Sequence, residues 1–218
     1  MKRLAELIVA CCLIYILIAQ YASPLLRNAI APLRDMSTPK SHKILIVLER
    51  VLKLSTISLL VWLVGFYAVF HSLLNALAEV LRFGSRDFYL DWWNSGSMGT
   101  FWRTWNRPVY HYFKRHILKP LILKRGWSAR SAGVVVFFFS AILHELVVGV
   151  PCHSVNGTAF LGIMFQSVGV IVTQPLEKSR LGATIGSIIF WSTFCLLGQP
   201  TLVVIYFLAT WDNVHPEM

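Results

Sequence analysis

Charge is what this sequence has least of. Only 14% of its 218 residues are charged, where a water-soluble domain of this length carries about a quarter. With 56% hydrophobic residues and a mean hydropathy of +0.62, that scarcity excludes a soluble globular domain and implies an integral membrane protein. Acid is scarcer than base, 10 Asp and Glu against 20 Lys and Arg, for a formal net charge of +10. In a membrane chain such an excess reports topology and contact with anionic headgroups or phosphates, not nucleic acid. The four cysteines (Cys11, Cys12, Cys152 and Cys195) show no C-x-x-C spacing. Neither a metal site nor a disulfide framework is supported, and inert packing is the reading of each. A cleavable signal peptide is not evident. Met1 to Arg3 leads into an apolar run that continues to about Ala22 without a clear small-x-small cleavage site, so the run reads as a span. Low-complexity segments and internal repeats are also lacking.

Long apolar runs are present in their place. The first expected span is 4–22, ended by Pro24, since proline cannot continue the helical ladder and restricts the residue before it. Residues 23–43, with Pro24, Pro32 and Pro39, read as a polar irregular connection. Residues 44–54 are amphipathic and suit the membrane interface. They lead into a second span at 56–81, where His71, Asn75 and Glu79 recur every four residues and share one helix face. A polar stripe of that kind should face protein or a water-filled cavity, either to fix helix packing or to serve chemistry.

The third span, 133–151, is the centre of the functional reading. It is nineteen residues by its numbering, enough to cross the hydrocarbon core, and its only charged or titratable residues are His144 and Glu145. An ionisable pair at that depth is expensive and is a functional-site candidate by default. A fourth span is expected at 157–173 and a fifth at 184–209, the latter interrupted by Gly198, Gln199 and Pro200. A break there frees carbonyls and presents an amide, which is tolerable only where protein or a cavity meets it.

Between the second and third spans, residues 82–130 form a long amphipathic segment. It holds ten basic residues against Asp87 and Asp91, with aromatics such as Trp92, Trp93, Trp102 and Trp105 interleaved. That composition belongs to interfacial helices in the headgroup layer. It would also suit an adenine- and phosphate-bearing ligand, through stacking and charge-assisted hydrogen bonds. If the first span enters from the cytosol, fourteen Lys and Arg fall on the cytosolic side and four, in 23–43, on the lumenal side. The positive-inside rule then places 82–130 in the cytosol. The expected architecture is all-α: a multi-pass transmembrane helical bundle of about five spans plus interfacial amphipathic helices, one membrane domain over residues 1–218.

One string in that segment is specific. Phe88-Tyr89-Leu90-Asp91-Trp92-Trp93-Asn94 matches the FYxDWWN signature, six fixed positions of seven, of the acyl-CoA:sterol and acyl-CoA:diacylglycerol acyltransferases. His144-Glu145, late in an apolar helix downstream, fits the place of that group's catalytic histidine. The chain therefore resembles the membrane-bound O-acyltransferase family over about 49–212, looks closer to the diacylglycerol branch than to the sterol branch, and corresponds to the C-terminal half of its longer relatives. The resemblance implies a partial fold of that family, an endoplasmic reticulum membrane location and transfer of a fatty acyl group from acyl-CoA to a lipid hydroxyl. Diacylglycerol is the leading acceptor and a sterol the runner-up. It implies His144 as general base and Asn94 as the polar group beside the thioester, with Glu145, Gln199 and Ser140 lining the chamber. Trp93 and Lys119 would meet the coenzyme A moiety. No cofactor or metal is implied; acyl-CoA is a co-substrate, and the partners are the acceptor lipid, the bilayer and a second copy of the chain.

The chemistry agrees with the residues. A lipid hydroxyl is far less acidic than imidazolium, so its proton must leave as attack proceeds, and burial favours the neutral imidazole this requires. Ser140, four residues before His144, could orient one ring nitrogen. Glu145 points about 100° away, and the amides of Asn94 or Gln199 are candidate donors to the oxyanion. Two other classes remain open: a non-catalytic membrane protein that binds acyl-CoA or pairs with a longer relative, and a transporter. The fixed cytosolic string argues against the transporter.

Overall fold

A computed structural model describes residues 2–82, 84 and 87–214. Among them there is no strand. Arg86, one of the ten basic residues of the amphipathic segment, lies outside the described residues. Five helical stretches are long and apolar enough to cross a membrane: Arg3–Arg34, Lys40–Val80, Ala129–Gly149, Thr158–Leu176 and Arg180–Trp211. The protein is thus an all-α membrane helical bundle, as its hydropathy requires.

The spans differ from the sequence reading at the prolines. The first helix, α1 (Lys2–Ile16), does not end before Pro24. It widens into a π-helical segment at Leu17–Ala22 and resumes as α2 (Ser23–Arg34). The Ser23 N–H donates to the Ile18 carbonyl, five residues back, so the wider turn takes up the register before the proline. Pro24 then occupies the opening turn of α2, where a missing N–H costs little. The polar connection shrinks to a turn after Arg34. There the Ser37 N–H and hydroxyl donate to the Asp35 carboxylate at 2.8 and 2.7 Å, and these bonds hold its carboxyl below the usual range.

The interfacial stretch expected at 44–54 is likewise continuous with its span. α3 (Lys40–Phe66) runs through both and passes by a π-helical Tyr67–Leu73 into α4 (Leu74–Val80). Further along, α5 (Met98–Thr104), α6 (Arg107–Phe113) and α7 (Lys119–Arg125) are short helices of the basic-aromatic segment. α8 (Ala129–Gly149) and α9 (Thr158–Thr173) form a helical hairpin. α10 (Arg180–Trp191) and α11 (Gln199–Val214) are joined by a π-helical Ser192–Gly198. The expected break at Gly198-Gln199-Pro200 is therefore a widened turn within a continuous helix, and Pro200 is fully buried.

Contacts divide the chain into two compact units. The first comprises Met1–Arg86 with Phe194–Leu208, the second Asp87–Thr193 with Ala209–Met218. In the first, Leu26 of α2, Val51 and Leu54 of α3 and Val204 of α11 form a buried apolar cluster. The polar stripe of the second span faces α1. Arg3 Nη1 donates to His71 Nε2 at 2.5 Å, Arg3 Nε lies 4.0 Å from Glu79 Oε1, and Asn75 is buried. A guanidinium only donates, so this imidazole nitrogen is unprotonated. The stripe has found protein, as a charge at that depth must.

In the second unit, the start of α5 is fixed twice. Ser97 caps it by accepting from the Thr100 N–H at 3.1 Å, and the Met98 N–H donates to the buried Thr173 hydroxyl at the end of α9. Close backbone approach sets α10: a Cβ placed on Gly186 would stand 2.6 Å from the Gly96 carbonyl oxygen.

Candidate active site

The FYxDWWN string is a pinned irregular segment, not a helix. The Phe88 carbonyl accepts from the Arg107 N–H and the Leu90 N–H donates to the Thr104 carbonyl, each at 2.9 Å. Trp92–Asn94 then make one 3-10 turn, closed by the Asn94 N–H to the Asp91 carbonyl and by the Ser95 hydroxyl to the Trp92 carbonyl. Trp92 is the anchor. Its ring lies 5.0 Å from Trp105, 6.0 Å from Trp191 and 6.3 Å from the fully buried Phe101. Aromatic pairs at such separations contribute about 0.5–1.5 kcal/mol each beyond the area they bury. The two tryptophans of the string divide their labour: Trp92 faces inward, while Trp93 is 55% exposed, and the Asn94 side chain is exposed beside it.

His144 sits on α8 with its Nδ1 2.7 Å from the Ser140 carbonyl oxygen and 3.4 Å from the Ser140 hydroxyl. A carbonyl can only accept, so Nδ1 carries the hydrogen and Nε2 of the neutral ring keeps its lone pair. The histidine is exposed on the face of α8 that also carries Ser140 and Phe137, which fall at i−4 and i−7. An imidazole whose proton-accepting nitrogen has no partner among the described residues, and whose other nitrogen is fixed by backbone, suits general-base chemistry.

Glu145, the next residue, turns the other way and is only 6% exposed. Its Oε1 accepts from the Gly157 N–H at 2.8 Å and its Oε2 from the Phe160 N–H at 3.0 Å. It thus clamps the opening turn of α9, where free N–H groups and the helix dipole favour a carboxylate. Gln199 belongs to the first unit. Its amide nitrogen donates to the Ser58 carbonyl at 3.3 Å and its Oε1 is buried without a partner among the described residues. Lys119 is exposed at the start of α7.

The structure joins the string to the histidine through α5. Phe101 and Trp105, four apart, pack on Trp92, and Trp102, about 100° around the helix, meets α8. The Trp102 ring stands edge-to-face with Phe137 at 5.8 Å and with His144 at 6.4 Å. Neither this contact nor the buried Oε1 of Gln166 on α9, without a partner among the described residues, is singled out by the sequence. A spacing of 42 residues between Trp102 and His144 carries no signal by itself.

Comparison with known proteins decides the family. The model of MBOAT, the membrane-bound O-acyltransferase family, matches residues 3–208. The chain belongs to the membrane-bound O-acyltransferase family. The match reaches into α1, well before the stretch 49–212 over which motifs suggested the likeness. Among curated relatives in this family, "Diacylglycerol O-acyltransferase 1C" of Glycine max is 41% identical over 206 residues. "Diacylglycerol O-acyltransferase 1" of Corylus americana and of Arabidopsis thaliana are each 43% identical over the same length. Each alignment covers 94% of this chain but only 37–38% of the relative. The chain spans about a third to two fifths of the length of the curated relatives it matches.

Proposed function

We propose that this chain carries the acyl-transfer centre of an acyl-CoA-dependent O-acyltransferase, with diacylglycerol as acceptor and triacylglycerol as product, in the endoplasmic reticulum membrane. One observation carries the reading: His144, in a member of this family, has Nδ1 bound to the Ser140 carbonyl and Nε2 left as a lone-pair acceptor. In the proposed step, Nε2 takes the proton of the acceptor hydroxyl as its oxygen attacks the thioester carbonyl carbon. The tetrahedral oxyanion collapses, the carbon–sulfur bond breaks, and the departing thiolate takes the proton back from the imidazolium. The products are a lipid ester and free coenzyme A. Asn94 is assigned to the thioester and, with Trp93 and Lys119, to the donor side of the centre. Ser140 orients the base through its backbone.

Gln199 fits an oxyanion role less well, because one of its two amide N–H groups already donates to Ser58 and its buried atom without a partner among the described residues is an acceptor. Glu145 fits a supporting role better than a chemical one. Sterol esterification is the second reading, supported by the FYxDWWN string, which serves both branches. The test is transfer of labelled acyl groups from acyl-CoA in membranes holding this chain, with diacylglycerol and cholesterol offered separately. Triacylglycerol formation that disappears in His144→Ala is the expected result. Formation that survives that substitution overturns the assignment of the base, and exclusive steryl ester formation overturns the acceptor.

A further inference from the structure

Trp102 Nε1 has no exposed surface and meets no acceptor among the described residues. An indole nitrogen is a donor only, and a buried donor without an acceptor is a standing cost that a folded chain rarely keeps without a use. Its surroundings limit what that use can be. The ring stands edge-to-face against His144 at 6.4 Å and against Phe137 at 5.8 Å, so it lies beside the imidazole on the face of α8 that bears it. On the same helix Phe101 and Trp105 are locked into the Trp92 cluster, and the helix start is tied to Thr173. Trp102 is therefore held, and its position follows the signature string.

From this placement we propose that the Trp102 indole N–H is a hydrogen-bond donor to the carbonyl oxygen of the bound acyl thioester. The inference rests on the acyl-transfer reading above. Its chemistry follows from the geometry of the step. The hydroxyl that loses its proton to His144 Nε2 is the group that attacks the thioester carbon, so the carbonyl must lie beside the imidazole ring. Negative charge develops on that oxygen in the transition state and needs a preplaced donor shielded from water. Gln199 has one N–H committed to Ser58, whereas the Trp102 N–H meets no acceptor among the described residues and belongs to a ring that packs edge-to-face with the imidazole.

The test uses the chain in lipid nanodiscs and two unreactive donors. In one, a methylene replaces the thioester sulfur and the carbonyl is kept as a ketone; the other is an S-alkyl coenzyme A thioether without a carbonyl. Ultraviolet resonance Raman spectra of the chain minus those of Trp102→Phe isolate the Trp102 N–H band. The ketone is expected to shift that band to its hydrogen-bonded position, while the thioether, binding equally, leaves it unchanged. Binding of both analogues with no shift overturns the donor role and leaves the acyl-transfer reading standing. Binding of neither overturns that reading and this one with it. In turnover, Trp102→Phe keeps an aromatic ring against His144 but loses the donor. It should lower kcat about hundredfold, the size of a lost oxyanion donor, with KM for acyl-CoA within about threefold. An unchanged kcat overturns the role.

Discussion

Glu145→Ala separates a structural carboxylate from a chemical one, and the structure sets the size of its effect. In the protein both carboxylate oxygens accept backbone N–H groups, from Gly157 at 2.8 Å and Phe160 at 3.0 Å, at the start of α9 and almost out of contact with solvent. A hydrogen bond to a charged group contributes about 1.5–3 kcal/mol, and the helix N-terminus adds about 0.3–1 kcal/mol. Since the two bonds share one carboxylate, their loss is not the full sum, and about 3 kcal/mol is the expected cost of the alanine. At 1.4 kcal/mol per tenfold, local opening of this turn becomes about a hundred times more frequent. Hydrogen–deuterium exchange of the segment around Gly157 and Phe160 should quicken by that factor, while α5 and the signature string keep their protection. Glu145→Gln keeps one acceptor and should fall between the two. Unaltered exchange at Gly157 and Phe160 in the alanine variant would refute the clamp. Lost acyl transfer with unaltered exchange would return Glu145 to the chemistry.

The remaining predictions concern the base, a close contact and a turn. Ser140→Ala should reduce acyl transfer less than about tenfold, because a carbonyl at 2.7 Å and not the hydroxyl at 3.4 Å fixes the imidazole. His144→Ala should lose the 10²–10⁴-fold contribution of general-base catalysis. Gly186→Ala drives a methyl to 2.6 Å from the Gly96 carbonyl oxygen, and backbone there cannot yield as a flexible side chain would. A destabilisation of about 1–3 kcal/mol is expected, read as a lower midpoint of thermal unfolding in detergent. The Asp35 carboxyl is held below its ordinary value by Ser37. The stabilisation it lends is therefore present at neutral pH and lost as pH falls through and below about 4. The protection of the Ser37 amide, its exchange rate relative to the intrinsic rate at each pH, should fall in that acid range in the chain and stay level in Asp35→Asn.

Most of the fold was legible because hydropathy and charge dictate it. An apolar run with few charges has to be a helix in a bilayer, and five such runs were visible. The prolines mislead because Pro24 reads as the end of a span and Pro200 as part of a break within one. At Pro24 and Pro200 one wider turn ahead of the ring restores the hydrogen-bond register, and nothing in the local sequence announces that. The string Phe88–Asn94 and the pair His144-Glu145 were legible as motifs, but their division of labour was not. Adjacent residues on a helix point about 100° apart, which warned that Glu145 need not meet the imidazole. Only the folded hairpin shows its carboxylate engaged at Gly157 and Phe160. The tautomer of His144 and the unspent N–H of Trp102 depend on groups far away in sequence, so no pattern of spacing could have supplied them.

The π-helical turn at Tyr67–Leu73 has a consequence for length changes. It stores one residue more than a regular helix needs, so removing a single residue there would leave an unbroken rod with every hydrogen bond made. Yet each residue beyond the deletion would swing by about 100° about the axis, carrying Glu79 away from Arg3 and the buried Asn75 out toward the fatty tails. For this span, smoothness of the helix and correctness of the helix are different things, and a shortened version could pass every test of helicity while having lost its polar seam.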